Sequence, residues 1–304
     1  MDTKIIFCHI PKTGGYSLLN WLNKDLKIYE YNDFARSEPL EKQLQNYQQS
    51  TVIEIHGGSP QSIEHLRNAS SKVHEVFISI IRNPVEQFES LCRDAYIHKA
   101  YLDLPLVSRR FSSNNIESIY NGEYENLRLD LHSLFDIYYQ YWTNIQPLTL
   151  SDNESKLLKT VNIHVAQSLA YAFNPNYLFR RNSQSKYLIQ TLGMHFIQEV
   201  FKQNKNFILL TTEQLEKQFI WLLLNNSYLK PFTIFSEYRG THKISDIELE
   251  LKNSRRNITP KIEDRKNLRL DPYESYLYAT LNQSDYNIWH AITCQWNIRF
   301  QNRT

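Results

Sequence analysis

The chain has 304 residues, with 34 Lys and Arg against 32 Asp and Glu, a formal net charge of +2, and 41% hydrophobic and 22% charged residues. That is a globular composition, long enough for a sizeable core; its near-balanced charge argues against bulk binding to nucleic acid or a membrane surface, so any anion site must be local. No stretch reaches the roughly 18 apolar residues of a membrane span, and the cysteines, Cys8, Cys92 and Cys294, suggest neither a disulfide framework nor a zinc site.

"KIIFCHI" (4–10), a short apolar run bounded by Pro11, predicts a buried strand. "SLLNWLNKDL" (17–26) follows with helical spacing. "TVIEIHG" (51–57) predicts a second strand ending at Gly57 and Gly58. "HEVFISIIRNP" (74–84) predicts a third, closed by Arg82, Asn83 and Pro84, and 85–102 reads as a helix with Pro84 just before its start. The region of about 112–200 reads as a helical insertion. "NFILLTTEQL" (206–215) predicts a fourth strand running into a helix at 213–225. Residues 236–271 are polar and poorly periodic, the signature of a long loop or mobile segment, and 275–296 reads as one closing helix. Apolar strands alternating with helices predict a single α/β domain, three-layered, with a central parallel sheet.

Between the first strand and the first helix lies "HIPKTGGYSL". Strand, glycine turn and helix start together make an anion site, because the turn and the first helical turn leave N–H groups unpaired at the positive end of the helix dipole. Gly14 and Gly15 let backbone approach a phosphate closely, Lys12 adds charge, and Thr13 and Ser17 add hydroxyls. The lysine precedes the glycines, so this is not the Walker A pattern. Four of the chain's seven glycines lie in "KTGGYS" and "IHGGSP", both at predicted carboxyl ends of strands, where ligands bind in open α/β sheets.

"HIPKTGGYSL" resembles the phosphosulfate-binding loop HIPKTGGTSL of carbohydrate sulfotransferases of the heparan sulfate 2-O-sulfotransferase type and their bacterial relatives. "IRNPVEQFES" resembles that family's second signature, RDPVERFLS, with Arg82 and Ser90 at its spacing. The resemblance implies a P-loop-type α/β/α fold and transfer of a sulfuryl group from 3'-phosphoadenosine 5'-phosphosulfate (PAPS) to a hydroxyl, here of a carbohydrate or glycoconjugate acceptor. It implies that Lys12, Thr13, Gly14, Gly15, Tyr16 and Ser17 hold the donor's 5' side, that Arg82 and Ser90 grip its 3'-phosphate, and that no metal is needed. Tyr16 replaces the family's usual Thr, and Gly58 stands where relatives often keep a histidine. His56 is therefore the first choice of general base, with Glu54, two residues earlier on the same strand face, and His9 as alternatives. Arg109 and Arg110 are candidates for an acceptor cleft. Two other readings stay open: a non-catalytic binder of the donor or its product PAP, and a P-loop kinase. With no signal-peptide pattern before the first strand, the expectation is a cytoplasmic enzyme of the bacterial type.

Overall fold

The computed structural model describes residues 3–11, 13–23, 26–56, 61–70, 73–97, 183–227 and 269–301, together with Phe135, Tyr139, Leu229 and Leu249. The elements are β1 (Thr3–His9), α1 (Gly15–Leu22), β2 (Ile28–Tyr31), α2 (Asp33–Ser37), α3 (Leu40–Gln49), β3 (Val52–His56), α4 (Gln61–Asn68), β4 (His74–Ile81), α5 (Pro84–Ile97), α6 (Ser183–Phe201), β5 (Phe207–Thr211), α7 (Leu215–Asn225), α8 (Pro272–Leu281) and α9 (Gln283–Gln301). The chain forms two compact units, one of Met1–Asn83, Gln184–Arg256 and Asn287–Thr304, the other of Pro84–Ser183 and Asn257–Tyr286.

The first unit is built on a five-stranded sheet in the order β2-β3-β1-β4-β5, parallel throughout. Strand alternation sends Ile5 and Phe7 into a core shared with α1 and α7, while Ile6, Ile53 and Ile55 join α3 and α4 residues in a separate cluster. The sheet thus has helices on both faces, a three-layer α/β/α arrangement that accounts for the near-continuous apolar strands. Lys4 is buried within β1 because its ammonium donates to the carbonyls of Tyr47 (2.8 Å), Gln48 (3.3 Å) and Ser50 (2.5 Å), capping the carboxyl end of α3 with a cation. The Trp296 indole N–H donates to the Leu209 carbonyl at 3.0 Å, tying α9 to β5.

In the second unit, Phe88 of α5 packs against Tyr278 of α8 and against Phe135, with ring centroids 4.7 and 6.4 Å apart. Glu89 accepts the Leu270 N–H at 2.8 Å. Helix α8 opens on a reciprocal capping box: Asp271 accepts from the Glu274 N–H, and Glu274 accepts from that of Asp271.

Two expectations are corrected. The sequence marks four strands, but the sheet has five, because the four residues of β2 with Glu30 at their centre are too short and too polar to stand out. The single helix expected at 275–296 is two, broken at Asn282, whose side chain turns back to donate to the Tyr278 carbonyl at 2.9 Å. Of the 112–200 insertion, Phe135, Tyr139 and the residues from 183 on are described, the latter within α6, which kinks at Gly193 (φ 78°). Most of the 236–271 segment lies outside the described residues.

Helix α6 ends on Gln203 with φ 59°. The Asn204 N–H bonds to the Glu199 carbonyl and the Gln203 N–H to that of Val200, the double closure that normally has glycine at this position. Left-handed backbone costs a non-glycine residue about 1–2 kcal/mol. Gln203→Gly is therefore expected to raise Tm, by about 2 °C after glycine's own entropic cost, as read by scanning calorimetry. A fall in Tm would show that the glutamine side chain contributes more than its backbone costs.

Candidate active site

The carboxyl ends of β1 and β4 lie side by side, with Cys8 level with Ser79. This is also where the strand order reverses, since the chain leaves β1 for β2 and β3 on one flank and crosses to β4 on the other. Such a switch point opens a crevice above the strand ends.

The loop after β1 enters that crevice and turns at Gly14, whose φ of 85° makes it the left-handed N-cap of α1. The Ser17 N–H closes onto the Gly14 carbonyl at 3.0 Å. The N–H groups of Gly14 and Gly15, and the Ser17 hydroxyl, have no hydrogen-bond partner among the described residues. These are donors at a helix amino end, a place suited to an anion. Thr13 is used differently: it is fully buried and its hydroxyl donates to the Ile10 carbonyl at 2.8 Å, bracing the loop from inside. Its own carbonyl accepts the Thr212 hydroxyl at 2.5 Å, which also lies 3.2 Å from the Ile81 carbonyl. Thr212 thus ties the loop to the end of β4. Lys12 lies outside the described residues, as do Gly57, Gly58, Arg109 and Arg110.

Arg82 follows β4 at the same edge and is half-buried. Its backbone is clasped by the buried Gln184 side chain, which accepts the Arg82 N–H and donates to the Arg82 carbonyl, both at 2.8 Å. The next N–H, of Asn83, donates to Glu213 at 2.7 Å. Ser90 is half-buried on α5, in the second unit.

Beneath the loop sits a pair of buried titratable groups. His9 and Glu54 are 2% and 3% exposed, and the His9 Nδ1–H donates to Glu54 Oε1 at 2.5 Å. With Glu54 as a carboxylate, which can only accept, this bond places the proton on Nδ1 and turns Nε2 the other way. The Tyr16 ring meets the imidazole edge-on, with centroids 4.7 Å apart, while Tyr16 itself is 52% exposed. The backbone of His56 ends β3 level with His9.

His9 also explains the second glycine. A Cβ on Gly15 would stand 2.6 Å from His9 Cδ2, 2.7 Å from its Nε2 and 3.1 Å from Phe7 Cζ. Glu54 holds the imidazole, so the ring has little freedom to yield. Gly15→Ala is expected to destabilise the protein by about 1–3 kcal/mol through overpacking, measured by urea unfolding; an unchanged midpoint would mean that the ring swings aside.

A family model described as the sulfotransferase family matches residues 1–206. The chain belongs to the sulfotransferase family. The match takes in the glycine loop, His9, Glu54, His56, Arg82 and Ser90, and ends just before β5. Curated proteins and solved structures give no match. In this sulfotransferase the residues that hold the site together were the ones the sequence did not offer. Gln184 acts on Arg82 from 102 residues away, and Thr212 acts on Thr13 from 199. No local motif carries such a pairing. The His9–Glu54 pair had a weak signal: each lies on the same strand face as a neighbour two residues away, and aligning the first two predicted strands brings the faces together.

Proposed function

We propose that this sulfotransferase moves the sulfuryl group of PAPS to a hydroxyl of a carbohydrate or glycoconjugate. The observation that supports the reading is the shared edge: unpaired loop N–H donors and an arginine with a clasped backbone leave adjacent parallel strands at the switch point. One doubly charged adenosine donor suits both. In this reading the N–H groups of Gly14 and Gly15, with Lys12 and the Ser17 hydroxyl, receive the 5'-phosphosulfate, and Tyr16 flanks it. Thr13 shapes the loop. Arg82 receives the 3'-phosphate with its planar fork. Ser90 joins it there by its match to the family's second signature alone. The acceptor oxygen gives its proton to His56 and forms a bond to sulfur, and the bond from sulfur to the bridging phosphate oxygen breaks. PAP leaves with its new negative charge offset by Lys12 and the loop donors. Arg109 and Arg110 are proposed for the acceptor's anionic groups.

Arg82→Ala is expected to weaken PAP about 10- to 100-fold, the loss of charge-assisted hydrogen bonds of about 1.5–3 kcal/mol. Calorimetric titration measures it, and the Gln184 clasp on the backbone is kept. Labelled PAPS with a panel of glycan acceptors tests transfer itself, with Lys12→Ala as the control. No affinity for PAP, or full activity in Lys12→Ala, would refute the proposal. Tight PAP binding without transfer to any acceptor would favour a non-catalytic binder, and preference for ATP with magnesium a kinase.

A further inference from the structure

At the opposite end of β5 from this edge, the first unit contains a cavity of about 160 Å³. The strand separates the two by about 16 Å, five residues at 3.3 Å each. Its floor is apolar, with Ile208, Leu209 and Leu222. Its walls carry Lys205 and Arg299, several side-chain amides and the indoles of Trp221 and Trp296, and no carboxylate lines it among the described residues.

Arg299 decides what the cavity suits. Its guanidinium lies over the Trp296 ring at 4.6 Å and the Trp221 ring at 5.5 Å, and the two rings meet edge-on. Burial lowers its pKa from the usual arginine value. It has no ion pair or hydrogen bond among the described residues. The neighbouring carboxylate, Glu199, is engaged by Lys202 at 2.7 Å and Asn204 at 2.8 Å. A partly desolvated guanidinium stacked through its face keeps its N–H edge for an anion, and the fork of donors fits carboxylate or sulfate oxygens. Gln203, whose backbone is held in the left-handed region, adds its side chain to the lining; such backbone strain gathers at ligand sites.

We propose that this cavity is a second ligand site, for a single-ring organic anion bearing a carboxylate or a sulfate. The anion meets Arg299 and Lys205, the ring lies against the Trp221 indole, and the Gln203 amide serves ring hydroxyls, while the Asn225 and Asn226 amides stay on the Trp221 and Lys205 carbonyls. The size agrees, since a cavity of about 150 Å³ holds one six-membered ring.

The probes are D-glucuronate, D-glucose and inorganic sulfate, each titrated into the full chain by tryptophan fluorescence and ligand-observed NMR. Glucuronate is expected to bind saturably, and glucose and sulfate at least about tenfold more weakly, each lacking one half of the recognition. Arg299→Gln should weaken glucuronate about tenfold or more. Gln203→Gly should weaken it while Tm does not fall, which separates binding from folding. Saturating PAP should leave glucuronate affinity unchanged. The proposal is overturned if no probe binds saturably, if glucose or sulfate matches glucuronate, if Arg299→Gln binds like the parent, or if PAP displaces the probe. The measurement uses no sulfuryl transfer, so it stands or falls apart from the proposed activity.

Discussion

A His56→Ala variant is expected to bind PAP as tightly as the parent and to transfer sulfuryl groups about 10²- to 10⁴-fold more slowly, the usual contribution of a general base. A base is needed because an alcohol is a weak nucleophile until its proton is taken. Two other titratable side chains near the loop, His9 and Glu54, hold each other at 2.5 Å and are almost wholly buried. Glu54 could take the acceptor's proton only by giving up that bond, and His9 only through Nε2, which the bond leaves without a proton but which is almost wholly buried. His56, whose backbone ends β3 level with His9, is the base proposed here. Single-turnover rates with saturating PAPS separate chemistry from binding. A His56→Ala rate equal to the parent's, with a Glu54→Gln rate near zero, would move the assignment to the Glu54–His9 pair.

Glu54→Ala is expected to cost about 3 kcal/mol of stability, the cost of leaving a buried donor without its hydrogen-bond partner. The loss has two parts. The His9 Nδ1–H no longer has its carboxylate, in a place water reaches poorly. The imidazole is also released from the position in which it packs against Gly15 and Tyr16. A drop in Tm of about 10 °C would follow, at roughly 2–4 °C per kcal/mol. Glu54→Gln keeps the volume and an oxygen that accepts from Nδ1, and should recover much of the loss. Equal Tm values for the alanine variant and the parent would show that the pair contributes no net stability.

The sheet and the glycine turn were legible for a physical reason. "KIIFCHI" and "HEVFISII" are nearly unbroken apolar runs because helices cover both faces of those strands, and Gly14 occupies a turn of positive φ that other residues adopt at a cost. The edge strand β2 was not legible, because its four residues alternate burial with exposure and include a charge. The break at Asn282 was missed because asparagine within a helical pattern gives no periodic signal; its effect comes from one side-chain bond to Tyr278. Lys4 looked like a polar residue at the start of a strand. Its burial depends on α3 ending beside it with unpaired carbonyls, which only the fold supplies. In the candidate site, the phosphate-loop residues and Arg82 came from local patterns, whereas Thr212, Gln184 and Glu213 are joined to them across 102 to 199 residues.

The Thr212 hydroxyl has a consequence for how the protein is made. Synthesis runs from the amino end, so the glycine loop and Arg82 leave the ribosome more than a hundred residues before Thr212 exists. Domains form as units while translation proceeds at about 5–20 residues per second. For several seconds the nascent polypeptide carries the glycine loop and Arg82 without the residue that ties the loop to the end of β4. The loop is therefore braced only late in translation, once β5 has docked beside β4 and Thr212 has reached Thr13.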